Sequence, residues 1–405
     1  MNTETDLSTG PHRSPGSHGR PPRIRRRKRR NWKPHIPRRP WSRITGSIAA
    51  ILVILTSVSI GHALTYPGGG SFSARIAEWA RDHHMGALVT FGEWLTYSPP
   101  QKGGKPSFAL TGPTAATQRI AHEKKALAAL YGPPPRLKSF AGHPLPGEGV
   151  WRVLGVVDGH PAMYGTDLRP SSVYSSYVAG IVEMNQSLLK FQLRPGTEDP
   201  GPGDWHAQSY ITPGTRHGLL ATFNSGFKID VSGGGFYLNG TRRGTLTKGV
   251  ASEVYYKDGH IAIGNWGGTL HMSPQVAAVR QNLHLIVQNG QIPSSVDNNV
   301  EGSWGATLGG GYYVWRSGIG ITKTGRIVFA YGPALNVREL AQLLKRAGAV
   351  TAMQLDINPD WMSFMYYLND MTTHPRPVNM LPDQVQPPNR YYSPASRDFT
   401  AVYAR

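Results

Sequence analysis

The hydrophobic pattern first marks an apolar segment near the N-terminus. From residue 44 to residue 64 the chain reads ITGSIAAILVILTSVSIGHAL, which is 21 residues without Lys, Arg, Asp or Glu. At about 1.5 Å per residue this helix would reach roughly 30 Å, the thickness of the hydrocarbon layer. Trp41 and Tyr66 flank it, where interfacial aromatic residues are common. The pattern therefore predicts one transmembrane helix over residues 44–64.

The next segment has the spacing of an amphipathic helix. Over residues 73–95 apolar side chains recur at three- and four-residue steps, as at Trp79, Leu88 and Phe91. Such a helix packs on a domain or lies on a membrane surface. The composition of residues 97–118, rich in Pro, Gly, Ser and Thr, predicts a linker or extended arm. We expect it to extend over residues 97–145, with a short helix at Arg119–Leu130.

From residue 146 to residue 405 short apolar or alternating runs are separated by turn residues. Asn-Gly occurs at 239–240 and 289–290, and Asp-Gly at 258–259, each between strand-like runs. These dipeptides favour hairpin turns because they tolerate positive φ. Two further strands are predicted within 311–332, joined near Lys323, Thr324 and Gly325.

Two helices are expected among these strands. One is predicted at Ser273–Leu283, and the other at Val337–Ala347 with Asn336 as its N-cap and Gly348 at its end. A strand should follow at Val350–Ile357. The predicted fold class is α+β: a mostly antiparallel β-rich domain over residues 146–405 with a few packed helices, preceded by the single transmembrane helix.

Composition and charge narrow the function classes. With 48 Gly and 33 Pro among 405 residues, an all-helical bundle is disfavoured. The chain has no Cys, which excludes disulfides, thiolate metal sites and a cysteine nucleophile. Of the net charge of +19, residues 1–43 contribute 13 Lys and Arg against two acids. They form a basic tail that we expect to be disordered.

The basic run at 23–30 lies on one side of the apolar segment only, so the positive-inside rule predicts a cytoplasmic N-terminus and an extracellular main domain at the plasma membrane. We interpret the apolar segment as an uncleaved signal anchor. The two alternatives are a nucleic-acid-binding or nuclear-import segment, which the adjacent span disfavours, and a cleavable signal peptide, whose n-region would be much shorter. We expect the lipid bilayer, and no nucleic acid, as partner.

Common catalytic and cofactor motifs are absent from the sequence. It has no HExxH, no GxxxxGK[ST], no GxSxG and no GxGxxG between a strand and a helix. DINPD at 356–360 mimics part of a calcium loop, but Trp361 stands where glycine is needed. His83 and His84 are adjacent and would face different directions, so we interpret them as solvated. The sequence predicts no metal site and requires no cofactor, although a divalent metal stays open.

Three segments remain as candidates for chemistry. Asn224 in FNSGF is a turn-former or a substrate hydrogen-bonder. Arg316 in a strand points to solvent or binds a phosphate or carboxylate in bidentate fashion. Asp356 at the end of VTAMQLDI caps the next turn or serves as an active-site acid.

In this order and spacing the three segments resemble the phosphodiester glycosidase domain family, the family of the lysosomal enzyme that uncovers mannose phosphate by removing N-acetylglucosamine. The family's Asn-Gly-Gly-Phe-Phe-like segment corresponds to FNSGF at 223–227. Its Arg-Thr-Ala-Ile-Gly-like strand corresponds to RSGIG at 316–320, and its Leu-Asp-Gly-Gly-Gly-Ser segment to LDINPDW at 355–361. The resemblance covers residues 150–405. The anchor and linker in front resemble the layout of actinobacterial membrane-anchored members.

The resemblance implies a membrane-anchored extracellular hydrolase that cleaves a sugar–phosphate diester of a cell-envelope glycan or glycolipid. It implies catalytic roles for Asp356 and Arg316. The implied substrate-binding residues are Asn224, Gly226, Phe227, Ser317, Asn358 and Trp361. A second carboxyl group is usual in glycoside hydrolysis, and the sequence offers Asp360, Glu301 and Asp398 without ranking them.

The third segment departs from the family pattern, because INPDW replaces the glycines and the serine after Asp356. A glycine-rich loop can hold phosphate through backbone N–H groups. The alternative function is therefore a non-catalytic envelope protein that binds an anionic glycan.

Overall fold

The computed structural model describes residues 40–65, 71–112, 130–297, 303–305, 313–368 and 370–405. Most of the basic tail, Glu301 and most of the short helix predicted at Arg119–Leu130 lie outside the described residues. Contact density divides the chain into residues 1–56 and residues 57–405. The sheets and the candidate site belong to the second unit.

Helix α1 (Pro40–Thr65) contains the apolar segment. Its portion Ile44–Thr65 is long and apolar enough to span a membrane, as the sequence predicts for residues 44–64.

The amphipathic segment forms two helices, α2 (Phe72–Asp82) and α3 (Gly86–Thr96), rather than the single predicted helix over 73–95. The break is at His84, whose φ of 61° leaves the helical region. The N–H of Met85 then closes the end of α2 by donating to the carbonyl of Ala80. A periodicity of apolar residues continues through such a break, which is why the sequence pattern does not reveal it.

The described residues of the β-rich region form three antiparallel sheets, which confirms the α+β class. The first sheet has seven strands: β1 (Arg152–Val157), β2 (His160–Leu168), β3 (Ala179–Met184), β11 (Leu285–Val287), β12 (Val314–Thr322), β13 (Ile327–Leu335) and β14 (Ala349–Gln354). The second has five: β6 (Phe236–Leu238), β7 (Thr241–Arg243), β8 (Ala251–Tyr256), β9 (Ile261–Asn265) and β10 (Val276–Gln281). The third has five: β4 (Leu189–Arg194), β5 (Leu219–Asn224), β15 (Phe364–Leu368), β16 (Arg376–Asn379) and β17 (Phe399–Ala404).

Strand order brings distant segments together. The first sheet runs β1-β2-β3-β13-β12-β14-β11, so β12 lies between its hairpin partner β13 and the later strand β14. The second runs β7-β6-β10-β8-β9, and the third runs β16-β15-β5-β17-β4. In the third sheet β5 pairs with the last strand, β17, which sets Phe399 opposite Asn224.

The predicted turns are present. Asn239 and Gly240 join β6 to β7 with φ values of 49° and 96°, as a primed hairpin turn requires. Asp258 and Gly259 join β8 to β9, and Gly325 lies in the turn between β12 and β13.

The helix predicted at Ser273–Leu283 is wrong, because this segment is β10. It is the central strand of the second sheet, paired with β6 and β8. Five of its six residues are buried. Burial between two partner strands outweighs the weak helical preference of its Ala and Gln residues.

Helix α4 (Val337–Arg346) confirms the second predicted helix. Its N-terminus is a capping box, in which Asn336 Oδ1 accepts from the N–H of Glu339 at 2.7 Å and Glu339 Oε2 accepts from the N–H of Asn336 at 3.1 Å. Leu340 and Leu344 belong to a buried cluster with residues of the first sheet. On the opposite face of that sheet, Phe329 packs 5.3 Å from Phe364 of the third sheet.

A buried ion pair joins the second sheet to the third. Arg280 of β10 is fully buried, and its Nε donates to Asp398 Oδ2 at 2.7 Å. Beside it in register, Glu253 of β8 is also fully buried, and neither of its carboxyl oxygens has a hydrogen-bond partner. Burial raises the pKa of Glu253 to about 8, although the charge of Arg280 lowers it. Glu253 is therefore largely protonated at neutral pH.

This pKa predicts that Glu253→Gln stabilises the protein near neutral pH. Because the pKa of Glu253 is about 8 in the folded state against 4.5 ordinarily, the folded state retains a proton that the unfolded state loses. Wild-type stability must then fall as pH rises through this window, an effect that Gln removes. We expect a gain on the order of 2 kcal/mol at pH 7–8, measured by denaturant unfolding, and little difference near pH 4. Asp230→Asn, at an exposed carboxylate, is the control; a gain at pH 4 as large as that at pH 8 would refute the explanation.

Candidate active site

The ends of β5 and β14 meet strand β12 where the sequence places its three candidate segments. Asn224 ends β5, Ser317 lies in β12, and Asp356 follows β14 by two residues. Asn224 Nδ2 donates to Ser317 Oγ at 2.9 Å, and the N–H of Asp356 donates to the same oxygen at 3.1 Å. Asn224 Oδ1 in turn accepts from the N–H of Ser363 at 3.1 Å. Asn224 and Ser317 thus fix the backbone on both sides of the loop that carries Asp356.

The carboxyl group of Asp356 is held by the turn that follows it. Its Oδ1 accepts from the N–H of Ile357 at 2.7 Å and from that of Asn358 at 2.9 Å. Burial raises the pKa of Asp356 to about 6, against the lowering effects of the charge of Arg397 and of these two hydrogen bonds. Both bonds go to Oδ1, which leaves Oδ2 for another partner. Asn358 uses its own Oδ1 to accept from the N–H of Asp360 at 3.0 Å.

Arg316 lies on the other face of the first sheet. A side chain at Gly318 would touch α4, so this residue marks the face of β12 that α4 covers. The next residue, Ile319, lies in the core between the first and third sheets. Side chains alternate along a strand, so Arg316 points towards α4 and Ser317 towards Asn224. Arg316 is 2% exposed, and it donates to the carbonyl of Leu335 and to Gln354 Oε1, each at 2.9 Å. The structure does not bring Arg316 together with Asn224, Ser317 and Asp356.

Gly226 and Phe227 are held next to a buried asparagine, Asn282. A Cβ at Gly226 would come within 2.8 Å of Asn282 Cγ, so this position leaves no room for a side chain. The N–H of Phe227 donates to Asn282 Oδ1 at 3.2 Å, and Asn282 Nδ2 donates to the carbonyls of Gln354 and Leu355 at 2.8 Å each. These contacts fasten the first candidate segment to the strand that leads to Asp356.

Two arginine side chains lie close to the ring of Trp361. The Cζ atoms of Arg390 and Arg397 lie 5.3 Å and 5.2 Å from the Trp361 ring centre, within the range of cation–π attraction. Arg397 Nη1 lies 3.6 Å from Asp199 Oδ2, and its Nε and Nη1 have no hydrogen-bond partner. Arg397 is therefore a buried cation near Asp356 with unused donors.

Helix α2 contributes a carboxylate to the same place. Glu78 Oε1 accepts from Arg397 Nη2 at 2.5 Å and lies 2.9 Å from Lys228 Nζ. Burial alone would raise the pKa of Glu78, but attraction to Arg397 and Lys228 outweighs it and the pKa lies below its usual value. Glu78 is thus ionised, and it bridges two cations as an anionic ligand would.

The three candidates for a second carboxyl group have different surroundings. Asp398 forms the buried pair with Arg280. Asp360 Oδ2 accepts from Ser71 Oγ at 3.4 Å, and burial raises its pKa. Glu301 lies outside the described residues.

A cavity of about 390 Å³ lies beside these groups. Its wall includes Glu78 and Trp79 of α2, Trp361, Ser396, and Ser59 and His62 from the end of α1. Within the described ranges, no cluster of three or more His, Asp or Glu side chains has the arrangement of a metal site.

Arg397, Lys228, Asp199 and Glu78 are not among the candidates from sequence. They lie in an amphipathic helix, two loops and the segment before β17, up to 319 residues apart along the chain. The available signal is SRDF at 396–399, where two opposite charges precede a buried strand.

One known protein family matches the part of the chain that contains these three segments. The family model for phosphodiester glycosidase matches residues 217–356, which include Asn224, Ser317 and Asp356. No curated protein matches the chain by sequence.

The chain is also similar to solved structures at low sequence identity. The catalytic domain of zebrafish N-acetylglucosamine-1-phosphodiester alpha-N-acetylglucosaminidase, described as auto-inhibited by its pro-peptide, is 15% identical with a TM-score of 0.37; the alignment covers 67% of this chain and 94% of that one. A hypothetical protein from Synechocystis is 10% identical with a TM-score of 0.34, over 63% of this chain and 64% of that one.

The match over residues 217–356 confirms the resemblance that the sequence indicates. Residues 217–356 of this chain match the family model for phosphodiester glycosidase.

Proposed function

We propose that this protein is a membrane-anchored extracellular enzyme that hydrolyses the bond between a sugar and a phosphodiester in a cell-envelope glycan or glycolipid. The observation that carries the proposal is the buried carboxyl of Asp356, with a pKa of about 6, close to the cation Arg397. Perturbed carboxyl groups beside a specific charge are typical of active sites. The family match over residues 217–356 supports the hydrolase class.

The leaving group explains why one carboxyl group can suffice. An ordinary glycosidase needs an acid to protonate the leaving oxygen and a carboxylate as base or nucleophile. A phosphate monoester leaves as a stable anion with a second pKa of about 6, so it needs charge neutralisation more than a proton. We assign this neutralisation to cations and assign to Asp356 the role of general base for the attacking water.

Arg397 and Lys228 are the cations that we assign to the phosphate. Both contact the single oxygen Oε1 of Glu78, which stands in for an anionic ligand. The unused donors of Arg397 suit further phosphate oxygens. Arg316 is therefore not assigned to the phosphate, because its guanidinium faces α4. Trp361 provides an aromatic face for the sugar at the cavity wall.

The N-terminal part suggests where the reaction occurs. The basic residues that precede α1 support a cytoplasmic N-terminus by the positive-inside rule. Residues 71–405 would then lie outside the plasma membrane, on a single-pass anchor. The envelope glycan or glycolipid is the expected partner.

Asp356→Asn should lower kcat at least about a hundredfold, because an amide cannot accept the proton of the attacking water. Substrate affinity should change little, since the phosphate contacts come from Arg397 and Lys228. The measurement is the release of reducing sugar from a panel of sugar-1-phosphodiesters, with and without divalent metal, alongside equilibrium binding. Asp204→Asn, at an exposed loop carboxylate, serves as control. Full turnover in Asp356→Asn excludes the assigned role, and binding without turnover in the wild type favours the non-catalytic glycan-binding alternative.

The rate should also depend on pH through Asp356. Burial raises its pKa to about 6, and a base must be ionised to work. We therefore expect kcat/KM to fall as pH decreases below about 6 and to level off above it. A rate that instead rises on acidification through this range would assign Asp356 the role of an acid.

Glu78→Gln should strengthen substrate binding. The neutral amide competes less for Arg397 and Lys228, so KM should fall severalfold. The charge of Glu78 raises the pKa of Asp356, so the acid limb of the pH profile should also move to lower pH. Asp82→Asn is the matched variant, because Asp82 contacts Lys228 from the same helix at an exposed position. An increased KM in Glu78→Gln, with the acid limb unmoved, would show that Glu78 does not occupy the phosphate position.

A further inference from the structure

The end of the apolar helix forms part of the cavity wall. Ser59, His62 and Ala63 of α1 line the same cavity as Glu78 and Trp361. These α1 residues belong to the unit of residues 57–405, together with the candidate active site. The cavity is therefore lined partly by the segment that leaves the membrane.

Specific contacts hold this part of α1 against α2. Trp79 Nε1 donates to Ser59 Oγ at 2.9 Å. Arg75 Nη1 donates to the carbonyl of Leu64 at 2.9 Å, which satisfies one of the free carbonyls at the end of α1. Two residues of α2, one turn apart, thus contact the last two turns of the apolar helix.

The length of the helix places the cavity at the bilayer surface. The segment Ile44–Thr65 has 22 residues. At about 1.5 Å per residue it reaches roughly 33 Å, little more than the hydrocarbon layer. Ser59 lies six residues before its end, about 9 Å along the axis. Ser59 and His62 lie about 23 Å and about 27 Å from Ile44 along the axis, so the cavity that they line lies at the outer edge of the bilayer.

Helices α2 and α3 present apolar side chains to the surroundings. Phe72 is 70% exposed, and Leu88 and Leu95 are 69% and 63% exposed. Leu88 and Leu95 are seven residues apart in α3 and lie on one face of that helix. Large exposed apolar side chains on a short helix next to a membrane anchor are typical of a helix that lies in the bilayer interface. The chain itself brings this face to the bilayer, since α2 begins seven residues after α1 ends.

From this arrangement we infer that the substrate is a lipid-linked glycosyl phosphodiester, held in the same leaflet into which the apolar face of α3 docks. The inference rests on the proposed function. The phosphate would lie at Arg397 and Lys228 and the sugar at Trp361, while the lipid chain stays in the bilayer. The bond between the anomeric carbon and the phosphate oxygen breaks. Water supplies a hydroxyl group to the sugar, and its remaining proton is released through Asp356, leaving a lipid phosphate monoester.

The arrangement favours such an amphiphile over a water-soluble polymer. A soluble chain would have to enter the headgroup layer to reach the cavity, whereas a lipid-linked substrate already has its phosphate at that depth. Confinement to the leaflet also raises its effective concentration at the site.

The docking part can be tested without any turnover, because the chain has no Cys. The full-length protein is placed in phospholipid vesicles after Leu95→Cys and labelling with an environment-sensitive dye. Val385→Cys is the control, at an apolar residue 53% exposed in the β-rich region. We expect a blue-shifted emission and quenching by a lipid-embedded quencher at position 95 and not at 385. Equal, weak quenching at both positions would overturn the docking.

The substrate part uses two diesters of the same sugar in those vesicles, one with a long alkyl chain and one with a methyl group. We expect kcat/KM to be at least about tenfold higher for the long-chain diester, and the paired change of Leu88→Ser and Leu95→Ser to reduce this preference. Val385→Ser should leave it intact. Equal cleavage of both diesters would overturn the inference and keep the proposed function. Cleavage of neither diester, or of any other sugar-1-phosphodiester, would overturn both.

Discussion

A chain of buried charges connects the core of this protein to its cavity. Arg280 pairs with Asp398, Asp199 lies between Arg280 and Arg397, and Arg397 reaches Glu78 at the cavity wall. A buried charge without a partner is expensive, so each of these side chains fixes the position of the next. The chain crosses the second sheet, the segment before β17 and helix α2. It therefore determines the position of the cation Arg397, whose charge lowers the pKa of Asp356.

The position of Asp356 depends on a second, neutral set of contacts. Asn224 and Ser317 belong to different sheets, and their hydrogen bond joins the end of β5 to β12. Ser317 also holds the backbone N–H of Asp356. The carboxyl group is thus fixed in a buried place where its charged form is disfavoured. Neighbouring charges then shift the pKa of Asp356, which burial has already raised to about 6.

Local sequence signals predict the local structure well. Asn239-Gly240 gives a hairpin, and Asn336 with Glu339 gives the start of α4, because the residues that determine each feature are adjacent. The prediction for segment 273–283 is wrong for the opposite reason: its strand forms because of β6 and β8, which are distant in sequence.

For the site, the three segments around Asn224, Ser317 and Asp356 are found from sequence. The sequence does not show which of the adjacent residues Arg316 and Ser317 faces the site, because this depends on which face of the sheet α4 covers. Arg397 and Glu78 come into contact only in the folded chain, so no sequence motif predicts this contact.

We propose that the protein breaks the bond between the sugar and the phosphate oxygen. The most direct measurement is hydrolysis of a sugar-1-phosphodiester by the full-length protein in water labelled with the heavy oxygen isotope, followed by mass spectrometry of both products. We predict that the label appears in the sugar and that the phosphate monoester is unlabelled. Label in the phosphate would identify attack at phosphorus and contradict the proposed bond cleavage, as would the absence of any hydrolysis while the diester binds.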